Sequence, residues 1–125
     1  MLPIEQLQER ANANARLVHR GRFVDTRFLL AVGDDNFLIH VHGGRIEKIE
    51  KGPFVMPRWT FALRASREDW EQFWQPLPKP GFHDLMALVK FRRLRVEGDQ
   101  HPFMANLLYF KGVMESLRTV EGAAA

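Results

Sequence analysis

Apolar side chains recur every three or four residues near the end of the chain, at Phe103, Leu107, Phe110, Met114 and Leu117, with Met104 and Leu108 beside them. The spacing predicts one helix from His101 to Arg118 with a wide apolar stripe. Just before it, Phe82–Phe91 predicts a helix and Arg92–Asp99 a strand, so the last third reads helix, strand, helix. A stripe this broad must face something apolar. It predicts either a closed core or the wall of a cavity between the last helix and a sheet.

Upstream, Ile4, Leu7, Ala11, Ala15 and Val18 mark a first helix over residues 4–18, within an N-terminal helical region 1–20 that stops at His19-Arg20-Gly21. The period then changes from helical to alternating. Val24, Thr26, Phe28, Leu30 and Val32 share one face of a strand over 23–32, and Gly33-Asp34-Asp35-Asn36 is a turn by composition. Phe37, Ile39 and Val41 alternate with Leu38, His40 and His42. Gly43-Gly44 then predicts a hairpin into a charged edge strand over 45–51. Gly52-Pro53 and Pro57 bracket a loop. Arg58–Ala65 alternates most clearly, and predicts Trp59, Phe61, Leu63 and Ala65 on one face. Ser66 is placed to cap a short helix carrying Trp70, Phe73 and Trp74, with Glu68 and Asp69 near its positive end. The proline-rich stretch 75–81 is a stiff loop. The resulting order predicts an α+β domain of meandering strands with helices gathered on one face.

The length of 125 residues suits a single domain over 1–125 with a substantial core, and residues 119–125 read as a disordered tail. An apolar fraction of 46% against 26% charged residues excludes a disordered chain. With no cysteine, disulfide frameworks and thiolate metal or redox sites are excluded, which is compatible with a reducing cytoplasm. The apolar runs 28–32 and 86–89 are far shorter than the roughly 20 residues that span a bilayer, and the N-terminus has no signal-peptide pattern. The C-terminal alanines are not a peroxisomal address. A net charge of +3 is too small to indicate nucleic acid.

Few residues invite chemistry. His40 and His42 share a strand face at a spacing metal sites use, but nothing in the sequence supplies the remaining ligands, so no metal or cofactor is expected. Two serines, Ser66 and Ser116, without a nucleophile elbow give no basis for acyl transfer. Asp25, Asp84 and Asp99 each have a structural use in a strand, cap or turn. Lys90, Arg92, Arg93 and Arg95 cluster around Phe91; a solvated strand face accounts for them first, and transient contact with an anionic membrane second. The bulky rings, together with Met86, Met104 and Met114, suit either a dense core or an adaptable pocket.

The run Trp59-Thr-Phe-Ala-Leu-Arg-Ala-Ser66, then Glu68-Asp69-Trp70, a loop, a helix, and Leu94-Arg-Val-Glu-Gly-Asp99 before an apolar helix resembles the sterol carrier protein (sterol-transfer) domain family, in its bacterial-type form. The resemblance spans roughly residues 23–117. It departs from the family at Arg92, where glycine is usual, and in the 76–81 loop. The family also occurs within larger enzymes such as alkyl sulfatases, supplying an apolar surface and no catalytic group. The resemblance implies a five-stranded, mainly antiparallel sheet with helices covering one face and enclosing an apolar cavity. It also implies non-catalytic binding or transfer of a fatty acid, its coenzyme A ester or a sterol. On that reading Phe61, Leu63, Trp70, Trp74, Phe82, Leu85, Met86, Val89, Phe103, Met104, Leu107 and Leu108 form the ligand wall. Arg92 and Arg93 meet an anionic head group. Two other readings stay open: a small cone-shaped isomerase or dehydratase using Asp25 or a histidine as base, and a homodimerising interaction module without a ligand.

Overall fold

At Gly43 and Gly44 the backbone angles φ are +61° and +81°, the pair of left-handed residues that a two-residue turn needs to match the twist of its strands. That turn joins the second and third strands, with His42 opposite Arg45. The computed structural model describes residues 4, 6–54, 58–75, 78–82 and 84–117. Parts of the expected 53–57 and 75–81 loops, and the expected tail, lie outside these residues.

The elements in chain order are α1 (Gln6–Ala13), α2 (Ala15–Arg20), β1 (Asp25–Val32), β2 (Asp35–His42), β3 (Arg45–Lys51), β4 (Phe61–Ala65), α3 (Arg67–Phe73), α4 (Leu85–Lys90), β5 (Arg95–Gly98), α5 (His101–Ala105) and α6 (Leu107–Glu115). The five strands form one sheet in the order β3-β2-β1-β4-β5. Pairing is antiparallel except between β1 and β4, which run parallel with Phe28 beside Phe61 and Leu30 beside Leu63. The mainly antiparallel α+β sheet is as expected, and the charged β3 does lie at an edge. The simple meander is not. After β3 the chain passes to the far side of β1, where β4 pairs.

That crossing explains both faces of the sheet. On one face Phe28, Leu30, Ile39, Val41, Ile46, Phe61 and Leu63 join the buried side chains of the helices in one core. On the other, Leu29, Leu38 and Ala62 form a smaller cluster under Phe54 and Trp59, which the crossing segment supplies. Trp59 therefore departs from the expected alternation: β4 begins only at Phe61, and the Trp59 ring belongs to the opposite face from Phe61 and Leu63. With both faces covered, β1 is buried from Phe28 to Val32.

Two expected helices are each broken in two, both times at an asparagine. Asn14 adopts an extended backbone and accepts the Leu17 N–H at 3.2 Å, capping α2, so Leu17 is buried and Ala15 is exposed. Asn106 has φ −122° and ψ 34°, and its side-chain amide donates to the carbonyl of Pro102 at 3.1 Å. An asparagine side chain that bonds nearby backbone competes with the helix ladder. The break turns α6 relative to α5. Tyr109 and Val113 enter the core, whereas Met104 and Leu108, expected to widen the buried stripe, are 48% and 61% exposed.

Candidate functional site

Where the sheet meets α5 and α6, aromatic rings touch across the interface. Phe28 and Phe61 stack with centroids 5.2 Å apart, and Phe110 stands edge-on to them at 5.5 and 5.1 Å. Phe103 closes the group at 5.3 Å from Phe61. Offset and edge-to-face contacts at these distances are favourable arrangements for ring quadrupoles, so this level of the interface is held by protein rings. Trp70 and Trp74 stack at 5.1 Å, and each indole N–H is satisfied: Trp70 donates to Ala31 at 2.9 Å and Trp74 to Met114 at 2.7 Å.

The expected wall residues therefore divide by depth. Phe61, Leu63, Trp70, Trp74, Leu85 and Phe103 are buried in the core. Phe82, Met86, Val89 and Leu107 are only partly buried and pack against its rim. Met104 and Leu108 face outward. An ion pair of 3.1 Å between Lys111 and Asp84 ties α6 to the start of α4. Phe91, 55% exposed, extends this apolar rim.

Beside the rim, the Arg93 guanidinium lies 4.3 Å from the Phe82 ring centroid and 5.4 Å from that of Phe91. Arg93 also approaches Asp69 at 4.0 Å. Arg92 is exposed and has φ +60°. The two expected head-group residues thus point to different surroundings: Arg93 is clamped between rings and a carboxylate, while Arg92 has no ion-pair partner among the described residues.

The strand residues read as a solvated face carry more organisation than alternation conveyed. Arg64 opposes Arg95 directly across β4 and β5, a like-charge placement that is unfavourable by itself. Glu97 takes both, accepting from Arg64 at 2.6 Å and lying 3.6 Å from Arg95. The hydrogen bond from Arg64, followed by the fields of both guanidiniums, holds the Glu97 carboxyl below its ordinary range. Arg64, Arg92, Arg93 and Arg95 line a surface cleft of about 360 Å³ with Gly33, Asp34 and Ser66. Sequence reasoning missed Arg64 because its neighbours in space, Arg92, Arg93 and Arg95, lie at the start of β5 and in the turn before it. The cross-strand register was the missing signal.

The candidates for catalysis are occupied otherwise. His40 pairs with Glu50 at 2.7 Å, which lowers the Glu50 pKa, and His42 lies 3.3 Å from Asp25. Asp25 is 75% exposed, at the surface and outside any enclosed site. Ser66 accepts the Asp69 N–H at 3.1 Å as the expected cap of α3. Among the described residues the core contains no polar or charged side chain except the Tyr109 hydroxyl and the indole N–H groups, and no group of three or more metal-ligating side chains is assembled. No helix among the described residues is long and apolar enough to cross a membrane.

The chain matches no protein-family profile and no curated protein. Its fold does match solved structures. Against the crystal structure of sterol carrier protein 2 the TM-score is 0.74 at 11% identity, covering 93% of each chain. A conserved hypothetical protein of Thermus thermophilus, considered a possible sterol carrier protein, gives 0.67 at 10% identity, covering 95% of this chain and 90% of that one. The SCP2 domain of UbiJ, a ubiquinone synthesis protein, gives 0.56 at 11% identity, covering 91% and 90%. With the sheet order, the final helices and these likenesses together, the chain has the fold of the sterol carrier proteins.

Proposed function

We propose that this chain binds a lipid-like apolar ligand without catalysing its conversion, as a carrier or a presenting surface. One observation carries the reading: large apolar side chains are left partly uncovered at Phe82, Met86, Val89 and Leu107 and exposed at Met104 and Leu108, on or next to α4, α5 and α6, and an ion pair ties α6 to the start of α4. A folded domain has no stability reason to leave such side chains uncovered on adjoining elements. The interface held by the rings of Phe28, Phe61, Phe103 and Phe110 is already filled at that level. The ligand lies nearer the rim, between α4 and the α5–α6 pair, and displaces the flexible methionines. At about 25 cal/mol per Å² of apolar area, covering a long acyl chain contributes several kcal/mol without a hydrogen bond. A fatty acid, an acyl thioester or a sterol all fit this chemistry, and the sterol carrier fold supports it.

Native mass spectrometry of freshly purified protein, together with displacement of a fluorescent fatty acid, tests the proposal. A co-purified lipid, or saturable displacement, supports it. Repeated absence of lipid with no uptake of the probe overturns it. The exposure of Met104 and Leu108 also suits a self-associating face, and sedimentation of the protein as a dimer whose probe uptake is nil would favour that second reading.

A further inference from the structure

We propose that the arginine-lined cleft between the β1–β2 turn, the end of β4 and the 92–95 segment is a binding site for a phosphate-type dianion, such as a phosphomonoester or diphosphate. Arg64, Arg92, Arg93 and Arg95 line it, together with Ala31, Gly33, Asp34, Ala65 and Ser66, while the Arg93 guanidinium itself lies against the Phe82 ring at its border. Guanidinium forks are suited to tetrahedral oxyanions, and these four arginines come to one cleft from β4 and from the segment that leads into β5. The site has its own acids. Asp34 lines it, Glu97 occupies Arg64 and Arg95, and Asp69 approaches Arg93. Even with all three counted, the four cations exceed the carboxylates, and Arg92 is the cation left without an ion-pair partner among the described residues.

Backbone geometry at Arg92 adds an independent reason. Its φ of +60° is a conformation that glycine adopts freely and that costs an L residue strain. Arg92 thus carries, at a strained backbone position, a charge that no ion pair among the described residues uses. Glu97 behaves as a built-in stand-in, holding the opposed Arg64 and Arg95 together in the role an external anion would take. The site does not depend on lipid binding, although Arg93 links the two regions by stacking on Phe82 and Phe91. An anionic head group beside a ligand in the rim and a soluble phosphate compound present the same chemistry to it.

The test is calorimetric titration of the full chain with inorganic pyrophosphate at low salt, alongside flotation with phosphatidylcholine vesicles doped with phosphatidylglycerol. Removing one charged partner, by Arg92→Ala, should weaken pyrophosphate binding about tenfold. Arg92→Gly should weaken it equally while raising the melting temperature, which separates lost binding from lost folding. Glu97→Gln should tighten it by freeing two guanidiniums. Arg20→Ala, on a different basic surface, should leave it unchanged. Binding of free pyrophosphate that follows this order supports a soluble phosphate ligand. Vesicle binding that follows it, without uptake of pyrophosphate, supports a lipid head group. Absence of both, or binding indifferent to Arg92, overturns the site. Uptake of the fluorescent fatty acid by the same variants reports separately on the lipid reading.

Discussion

The Tyr109 hydroxyl donates to the Gly44 carbonyl at 2.8 Å, so a side chain of α6 closes onto the turn of the β2–β3 hairpin. The Tyr109 ring packs so closely over Gly21 that no Cβ fits there, and Gly44 in turn lies against the backbone of Val18 and Gly21. One tyrosine thereby joins the last helix, the end of α2 and the hairpin. This contact fixes where α6 lies across the sheet, and with it the position of the apolar rim.

Replacing Tyr109 by phenylalanine leaves the Gly44 carbonyl buried without its partner. The expected loss is about 1–3 kcal/mol, read as a lower urea midpoint with an unchanged denaturant slope. The same variant tests pH dependence. Burial pushes the Tyr109 pKa up to about 12 from an ordinary value of 10.0. Its neutral form is the one the fold holds, so the contribution is complete below the unfolded value and is lost as pH rises through the folded one. The wild type should lose roughly 2–3 kcal/mol more than Tyr109→Phe over that alkaline interval.

Gly21→Ala places a methyl group inside the Tyr109 ring. Overpacking against a ring whose hydroxyl is tied to Gly44 leaves little room for relaxation, and a loss of about 1–3 kcal/mol is expected by thermal or chemical denaturation. Because the Tyr109 hydroxyl bond and the Gly21 contact share one side chain, Gly21→Ala and Tyr109→Phe should be non-additive in a double-mutant cycle.

At the other end of the pH range, Glu97 is the informative group. Its pKa is lowered, chiefly by the hydrogen bond from Arg64, so its contribution is present above the ordinary carboxylate range and fades as pH falls through the depressed value. Urea midpoints measured down the acid limb should fall more steeply for the wild type than for Glu97→Gln. Parallel curves would show that the Arg64–Glu97–Arg95 arrangement does not contribute to acid stability.

Met104→Ser with Leu108→Ser should leave the melting temperature nearly unchanged, since both side chains are exposed, while weakening uptake of a fluorescent fatty acid several-fold. A pure core substitution such as Phe61→Ala should do the reverse first, lowering stability by about 3–5 kcal/mol. Equal probe binding by the double serine variant would remove α5–α6 from the ligand surface.

Legible in the linear chain were the element types, the Gly43-Gly44 hairpin, the charged edge strand, the Ser66 cap and the resemblance carried by 59–70 and 94–99. These features are local: a period of two or 3.6, a turn residue or a cap is written in consecutive positions. The rest was settled by packing between distant segments. Whether β4 pairs with β3 or crosses to β1 depends on which apolar faces can be covered, and Phe54 and Trp59 cover the second face only once the crossing is made. The breaks at Asn14 and Asn106 turned two apolar stripes away from their linear spacing, burying Leu17, Tyr109 and Val113 and exposing Met104 and Leu108. The arginine cleft exists because Arg64 and Arg95, far apart in the chain, are cross-strand partners. Periodicity records which side of its own element a residue occupies; only packing records what stands on that side.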